Sequence, residues 1–119
     1  MFQTWEIIQT GVFQEWYEEL DADARVAIYE KILVLRRFGP RLGRPYVDTL
    51  HGSKHKNMKE LRVQSKNRPF RILFAFAPDR NGVLLLGGNK AGKKSFYDDM
   101  IPVAETLYEQ YLKEIKNER

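Results

Sequence analysis

Apolar and polar residues repeat along this chain with two periods, and the change from one to the other marks the elements. Trp5 to Gln9 is short and β-prone, and it runs into Thr10-Gly11, where Thr10 can cap a helix. In that helix Phe13, Trp16, Tyr17 and Leu20 recur at helical spacing, while Gln14, Glu15, Glu18 and Glu19 face water. Asp21 or Asp23 caps a second, longer helix whose expected buried stripe is Ile28, Tyr29, Ile32, Leu33 and Leu35, stopped by Gly39-Pro40. So short a connection makes the pair an antiparallel hairpin.

The period then shortens. Residues 41–57 are rich in Gly, Pro and polar residues and read as an ordered loop. From Lys59 to Gln64, Leu61 and Val63 share one face of a strand, with Glu60, Arg62 and Gln64 on the other. Phe70 to Ala77 repeats the pattern, Phe70, Ile72, Phe74 and Phe76 inward and Arg71, Leu73 and Ala75 opposite. Pro78-Asp79-Arg80-Asn81-Gly82 carries an Asn-Gly hairpin signal and leads into Val83 to Leu86. These three strands form an antiparallel meander. Ile101 to Asn117 is a closing helix, with Pro102 in its first turn and Val103, Leu107, Tyr111 and Ile115 at four-residue spacing. The expected fold is α+β: an N-terminal strand and helix hairpin packed on an antiparallel sheet, with a C-terminal helix.

Composition narrows the class. At 119 residues the chain suits one domain, 1–119, without repeats or linkers. Hydrophobic residues at 43% and charged residues at 30% describe a globular protein rather than a disordered or membrane chain. The N-terminus lacks the basic and apolar regions of an export signal, so a cytoplasmic location is expected. With no cysteine, disulfides, thiolate chemistry and Cys-based zinc sites are excluded.

Charge is unevenly spread. Residues 1–40 carry 4 basic and 7 acidic residues, 41–71 carry 9 and 2, and 72–119 carry 7 and 7. The block His51–Arg71 holds Lys54, Lys56, Lys59, Arg62, Lys66, Arg68 and Arg71 against a single acid, Glu60. Such a stripe is the electrostatic footprint of a polyanion, nucleic acid first, although a solvated surface kept for solubility has the same composition.

Arg62 and Arg71 fall on the non-core face of neighbouring strands and can project into one groove, where two guanidiniums would grip a phosphate. The bland alternative is a pair of surface ion pairs to Glu60 or Asp98, worth well under about 1 kcal/mol. After the third strand, Gly87-Gly88-Asn89-Lys90-Ala91-Gly92-Lys93-Lys94-Ser95-Phe96-Tyr97 combines glycines that allow close backbone approach to a ligand with lysines and aromatics that can stack a base. The segment lacks the spacing of a P-loop. No carboxylate dyad, Ser-His-Asp triad or metal-ligand cluster is evident, so no cofactor or metal is expected. RNA carries its own nucleophile, the 2′-hydroxyl, and lysine, arginine, histidine and tyrosine can align it, move its proton and stabilise the phosphorane.

The segments GRPYVDTLHGSKHKNMKELRV, RPFRILFAF and LLLGGNKAGKKSFY resemble the RelE/HigB toxins of bacterial toxin–antitoxin systems, in the phage-derived Gp49-like branch. The resemblance runs from the Trp5 strand to Tyr97. It implies a microbial-ribonuclease-like fold, cleavage of mRNA in the ribosomal A site, and a cognate antitoxin, commonly a helix-turn-helix protein encoded beside the toxin. Carried over by position, it assigns catalytic roles to Lys59, Arg62, Arg71, Lys90 and Tyr97, and RNA contacts to Lys54, His55, Lys56, Lys93, Lys94 and Phe96. Glu60 departs from the RelE pattern, standing where a second lysine is common, and a histidine near the C-terminal end is missing. The general base therefore stays open among Tyr97, Lys59 and His55. Two other readings remain: a ParE-like inhibitor of DNA gyrase, and an RNA-binding module whose nuclease activity has decayed.

Overall fold

The computed structural model describes residues 4–118, so residues 1–3 and 119 of the expected domain lie outside it. β1 (Ile7–Gln9) leads into α1 (Gly11–Glu18) and α2 (Ala22–Phe38), followed by one 3-10 turn over Gly39–Arg41. β2 (Val47–Thr49), β3 (Met58–Ser65), β4 (Arg68–Phe76) and β5 (Gly82–Asn89) precede α3 (Phe96–Asn117). The five strands form one sheet in the order β1-β5-β4-β3-β2. β1 runs parallel to β5, and the other neighbours are antiparallel. This is the expected α+β architecture. No described helix is long and apolar enough to cross a membrane.

Both caps behave as their residue types require. Thr10 accepts from Phe13 N–H at 3.1 Å and donates to the Leu85 carbonyl at 2.6 Å, so one hydroxyl starts α1 and ties it to β5. Asp21 accepts from Ala24 N–H at 2.9 Å and starts α2. Gly39 ends α2 at φ +62, a conformation glycine adopts without penalty, and the Trp5 indole lies so close that a Cβ there would meet it at 2.3 Å.

The sheet is buried on both faces. The α1–α2 hairpin covers Leu61, Val63, Phe70, Ile72, Phe74 and Leu84, with Phe13, Ile28 and Leu35 descending from the helices. α3 covers Met58, Leu73, Ala75, Val83 and Leu85, with Ile101, Ala104 and Tyr108. Burying each large apolar side chain contributes about 1.5–3 kcal/mol, so the two layers hold the sheet rigidly between them.

Several expectations are corrected. The loop over 41–57 contains β2, a three-residue edge strand pairing with Leu61, Glu60 and Lys59. Tyr29 and Leu33 are 55% and 41% exposed, because Ala24, Ile28 and Leu35 suffice to seat α2. The β4–β5 turn bends at Arg80, φ +75, and closes through Ala77 N–H to the Asn81 carbonyl, which leaves Gly82 as the first residue of β5. α3 begins at Phe96, so Pro102 lies within it rather than in its first turn, and Val103 faces out while Ile101, Ala104 and Tyr108 face in.

Candidate active site

Alternation along β3 and β4 decides which charged residues meet. Arg62 stands opposite Arg71 in the antiparallel register, and Arg71 stands opposite Gly88 on β5. Both arginines lie on the α3 face, sharing it with Leu73 and Ala75 of the α3 core. Tyr97, in the first turn of α3, comes down over the same place.

At the centre of this group is Glu60, only 3% exposed. Arg62 presents Nε and Nη2 to one carboxylate oxygen, both at 3.2 Å. Tyr97 donates its hydroxyl to the other at 2.6 Å. Arg71 Nε lies 3.7 Å from that second oxygen, close enough to feel the charge and too far to bond. It is buried and has no hydrogen-bond partner among the described residues, whereas Arg71 Nη1 donates to the Phe70 carbonyl at 3.0 Å. An orphaned guanidinium donor beside a hydroxyl and a second guanidinium is chemically unsatisfied in a way that an incoming oxyanion would correct.

The surroundings set the protonation of the phenol. Burial, followed by the hydrogen bond to Glu60, pushes the Tyr97 hydroxyl above the usual phenol range, with Arg71 opposing in part. Tyr97 is therefore a proton donor near neutrality. Lys90, just past β5, holds its ammonium 5.3 Å from the Tyr97 ring centroid and adds a third cation. On the outer side Asp48 reaches Arg62 at 3.5 Å and Arg44 at 3.3 Å, and Arg44 is the leading reason its carboxyl titrates below the usual range.

The other sequence candidates fall elsewhere. Lys59 alternates onto the hairpin face of β3, where Nζ donates to the Pro40 carbonyl at 3.3 Å, so it does not join Arg62 and Arg71. His55 and Lys54 are held on α3 by Glu109, at 2.7 Å and 3.0 Å, and the His55 ring packs edge-on against Tyr108. Glu109 is about 18 Å further along α3 than Tyr97 at a rise of about 1.5 Å per residue, which separates His55 from the cluster. Lys56, Lys93 and Lys94 are exposed. Phe96 is 3% exposed and packs against the Gly88 backbone, so it is a core residue unavailable for stacking on a base.

Gly87 and Gly88 also have a different reason from the one expected. A Cβ on Gly87 would meet the Trp16 ring at 2.3 Å, and one on Gly88 would meet Phe96 at 2.9 Å. The two glycines admit aromatic rings from α1 and α3, and thereby fix where Lys90 and Tyr97 stand. Sequence reasoning missed Glu60 as the hub. Its signal was that it is the lone acid of the His51–Arg71 block.

Comparison with known proteins bears on descent and fold. The profile of the phage-derived Gp49-like proteins (DUF891) matches residues 15–109. The HigB2 toxin homologue of Mycobacterium tuberculosis is 43% identical over 86% of the chain, which spans only 52% of that relative's length. The HigB3 homologue of the same organism is 45% identical, with 83% of this chain and 86% of the relative covered. Among solved structures, free E. coli RelE carrying two arginine substitutions superposes with a TM-score of 0.59 at 11% identity, covering 78% of this chain and 90% of that one. The archaeal RelE–RelB complex of Pyrococcus horikoshii gives 0.56 at 13% identity, covering 76% and 99%. The intact E. coli RelBE complex also gives 0.56, at 10% identity, covering 71% and 94%. At such identities the superpositions speak for the fold alone. The family profile and the two mycobacterial relatives settle descent: this chain belongs to the phage-derived Gp49-like family, and its sequence is similar to the HigB homologues.

Proposed function

We propose that the chain is an endoribonuclease that cleaves mRNA on the ribosome, the toxic half of a toxin–antitoxin pair acting in the cytoplasm. The observation that carries the reading is the buried, unpartnered Nε of Arg71 beside Arg62, Glu60 and Tyr97. A scissile phosphate seated there takes hydrogen bonds from Arg71 and Arg62, with Lys90 adding charge as the phosphorane forms. The 2′-oxygen attacks phosphorus and its proton passes to Glu60, the one carboxylate inside the cluster. The bond to the 5′-oxygen breaks, and the Tyr97 hydroxyl, held protonated by its surroundings, protonates the departing oxygen. The products are a 2′,3′-cyclic phosphate and a 5′-hydroxyl. Lys59 and His55 have no part in this scheme, since Lys59 lies on the hairpin face of β3 and His55 is held by Glu109.

An antitoxin is the proposed protein partner, supported by the RelE relatives whose solved structures are complexes with RelB. The test is to express the wild type and Arg71→Ala under tight repression, following growth and mapping new mRNA 5′ ends. Growth arrest with cleavage inside translated frames, lost in the variant, supports the reading. Arrest with intact mRNA contradicts it and directs attention to gyrase.

A further inference from the structure

A second basic surface lies on the other side of the sheet edge. Between Lys31 and Tyr46 the sequence holds five basic residues, Lys31, Arg36, Arg37, Arg41 and Arg44, and no acid. Arg36 and Arg37 have an ordinary explanation in the C-terminal dipole of α2. Lys31 and Arg41 do not, and Arg44 shares Asp48 with Arg62.

The structure draws these residues to one edge. The Lys31 ammonium lies 5.0 Å from the Tyr46 ring centroid. Lys59 reaches the 3-10 turn that carries Arg41, through the Pro40 carbonyl. Tyr46 and Phe38 are 40% and 42% exposed, two of the large apolar side chains that the fold leaves in water. A surface maintained for solubility needs the cations but gains nothing from the rings. Cations interleaved with exposed aromatics match single-stranded nucleic acid, with phosphates for the first and base faces for the second.

The surface also leads into the phosphate cluster. Arg62 N–H donates to the Tyr46 carbonyl at 2.8 Å, which places Tyr46 one strand beyond Arg62 and about 10 Å, two strand spacings, from Arg71. Arg44 and Arg62 share Asp48, so positive groups continue around the β2 edge. We infer that single-stranded RNA flanking the cleaved phosphate passes around this edge, its backbone held by Lys31, Arg41, Arg44 and Lys59 and a base stacked on Tyr46. An acidic protein segment would use the cations and leave the rings idle, and it is the less favoured occupant.

This rests on the RNA reading above, and binding is measured with a strand that cannot be cleaved. Fully 2′-O-methylated single-stranded RNA lacks the nucleophile, so wild-type protein can be titrated with it across a range of salt. A 2′-O-methylated dinucleotide, reaching only Arg62 and Arg71, is the control. The double variant Lys31→Ala/Arg41→Ala should lower the salt slope for the long strand by about 1.4, at about 0.7 per phosphate contact in single strands. Tyr46→Ala should weaken binding about tenfold, the loss of one stacked base. Dinucleotide binding should not change, and matched thermal unfolding midpoints show the variants folded. Arg41→Glu gives a second reading at an exposed position. Long-strand affinity and slope equal to wild type in all variants would overturn the inference. So would a loss confined to poly-glutamate or to intact ribosomes. If cellular mRNA stays intact while the long strand binds through this surface, the cleavage reading alone has failed.

Discussion

Tyr97 donates its hydroxyl to Glu60 at 2.6 Å, joining the first turn of α3 to β3. The bond orients the phenol, and its cost to the phenolate holds the proton in place. Burial and Glu60 together put the Tyr97 pKa above its ordinary value of 10.0. An acid must be protonated to act, so raising its pKa extends activity toward high pH. The alkaline fall in rate that comes from Tyr97 ionisation should have its midpoint above pH 10.0. Tyr97→Phe should lower kcat by about 10²-fold, the low end of general acid catalysis. Rate–pH profiles of both proteins check this. An alkaline decline near neutrality that vanishes in Tyr97→Phe would contradict the assignment.

Glu60→Gln keeps the shape of the side chain and removes its charge. With Arg62 and Arg71 no longer neutralised, uncleavable RNA should bind more tightly, while single-turnover cleavage falls by about 10²-fold or more for want of a base. A residue that merely positioned the arginines would lose affinity and rate together. Titration and single-turnover kinetics on one preparation separate the two cases.

Gly87 and Gly11 make a paired test of the packing. Gly87→Ala drives a methyl into the Trp16 ring at 2.3 Å and should cost about 1–3 kcal/mol as overpacking. Gly11 has nothing within 4 Å, and Gly11→Ala should leave stability unchanged or raise it by about 0.4–1 kcal/mol. Urea unfolding midpoints report both. Equal midpoints would show that Trp16 does not need the bare backbone.

His55→Ala removes the side-chain contact to Glu109 and the edge contact with Tyr108. The pair is partly exposed, so the loss of stability should stay below about 1 kcal/mol. Cleavage should proceed at the wild-type rate. A clear fall in single-turnover rate with an unchanged unfolding midpoint would return His55 to the list of catalytic residues.

The alternating strands and capped helices were readable because binary pattern and cap chemistry are local. Arg62 and Arg71 could be paired in advance for the same reason, since alternation puts them on one face. What local pattern cannot supply is the partner across the sheet. Glu60 reads as a surface acid until β2, β4 and α3 close around it, and Lys59 reads as part of the cluster until its parity on β3 is set against the hairpin. β2 is too short to show a period. Tyr29 and Leu33 fit a buried stripe equally well until the other side chains of α2 have filled the contact.

If Arg71, Glu60 and Tyr97 turn the RNA's own 2′-hydroxyl on the adjacent phosphate, the new ends carry the signature of that chemistry. The most direct measurement is end-group analysis of a defined mRNA after incubation with purified protein and ribosomes translating that message. Fragments ending in 2′,3′-cyclic phosphate opposite 5′-hydroxyls, formed by the wild type and absent with Arg71→Ala, are the predicted result. Fragments ending in 3′-hydroxyls opposite 5′-phosphates, or undiminished cleavage by Arg71→Ala, would contradict it.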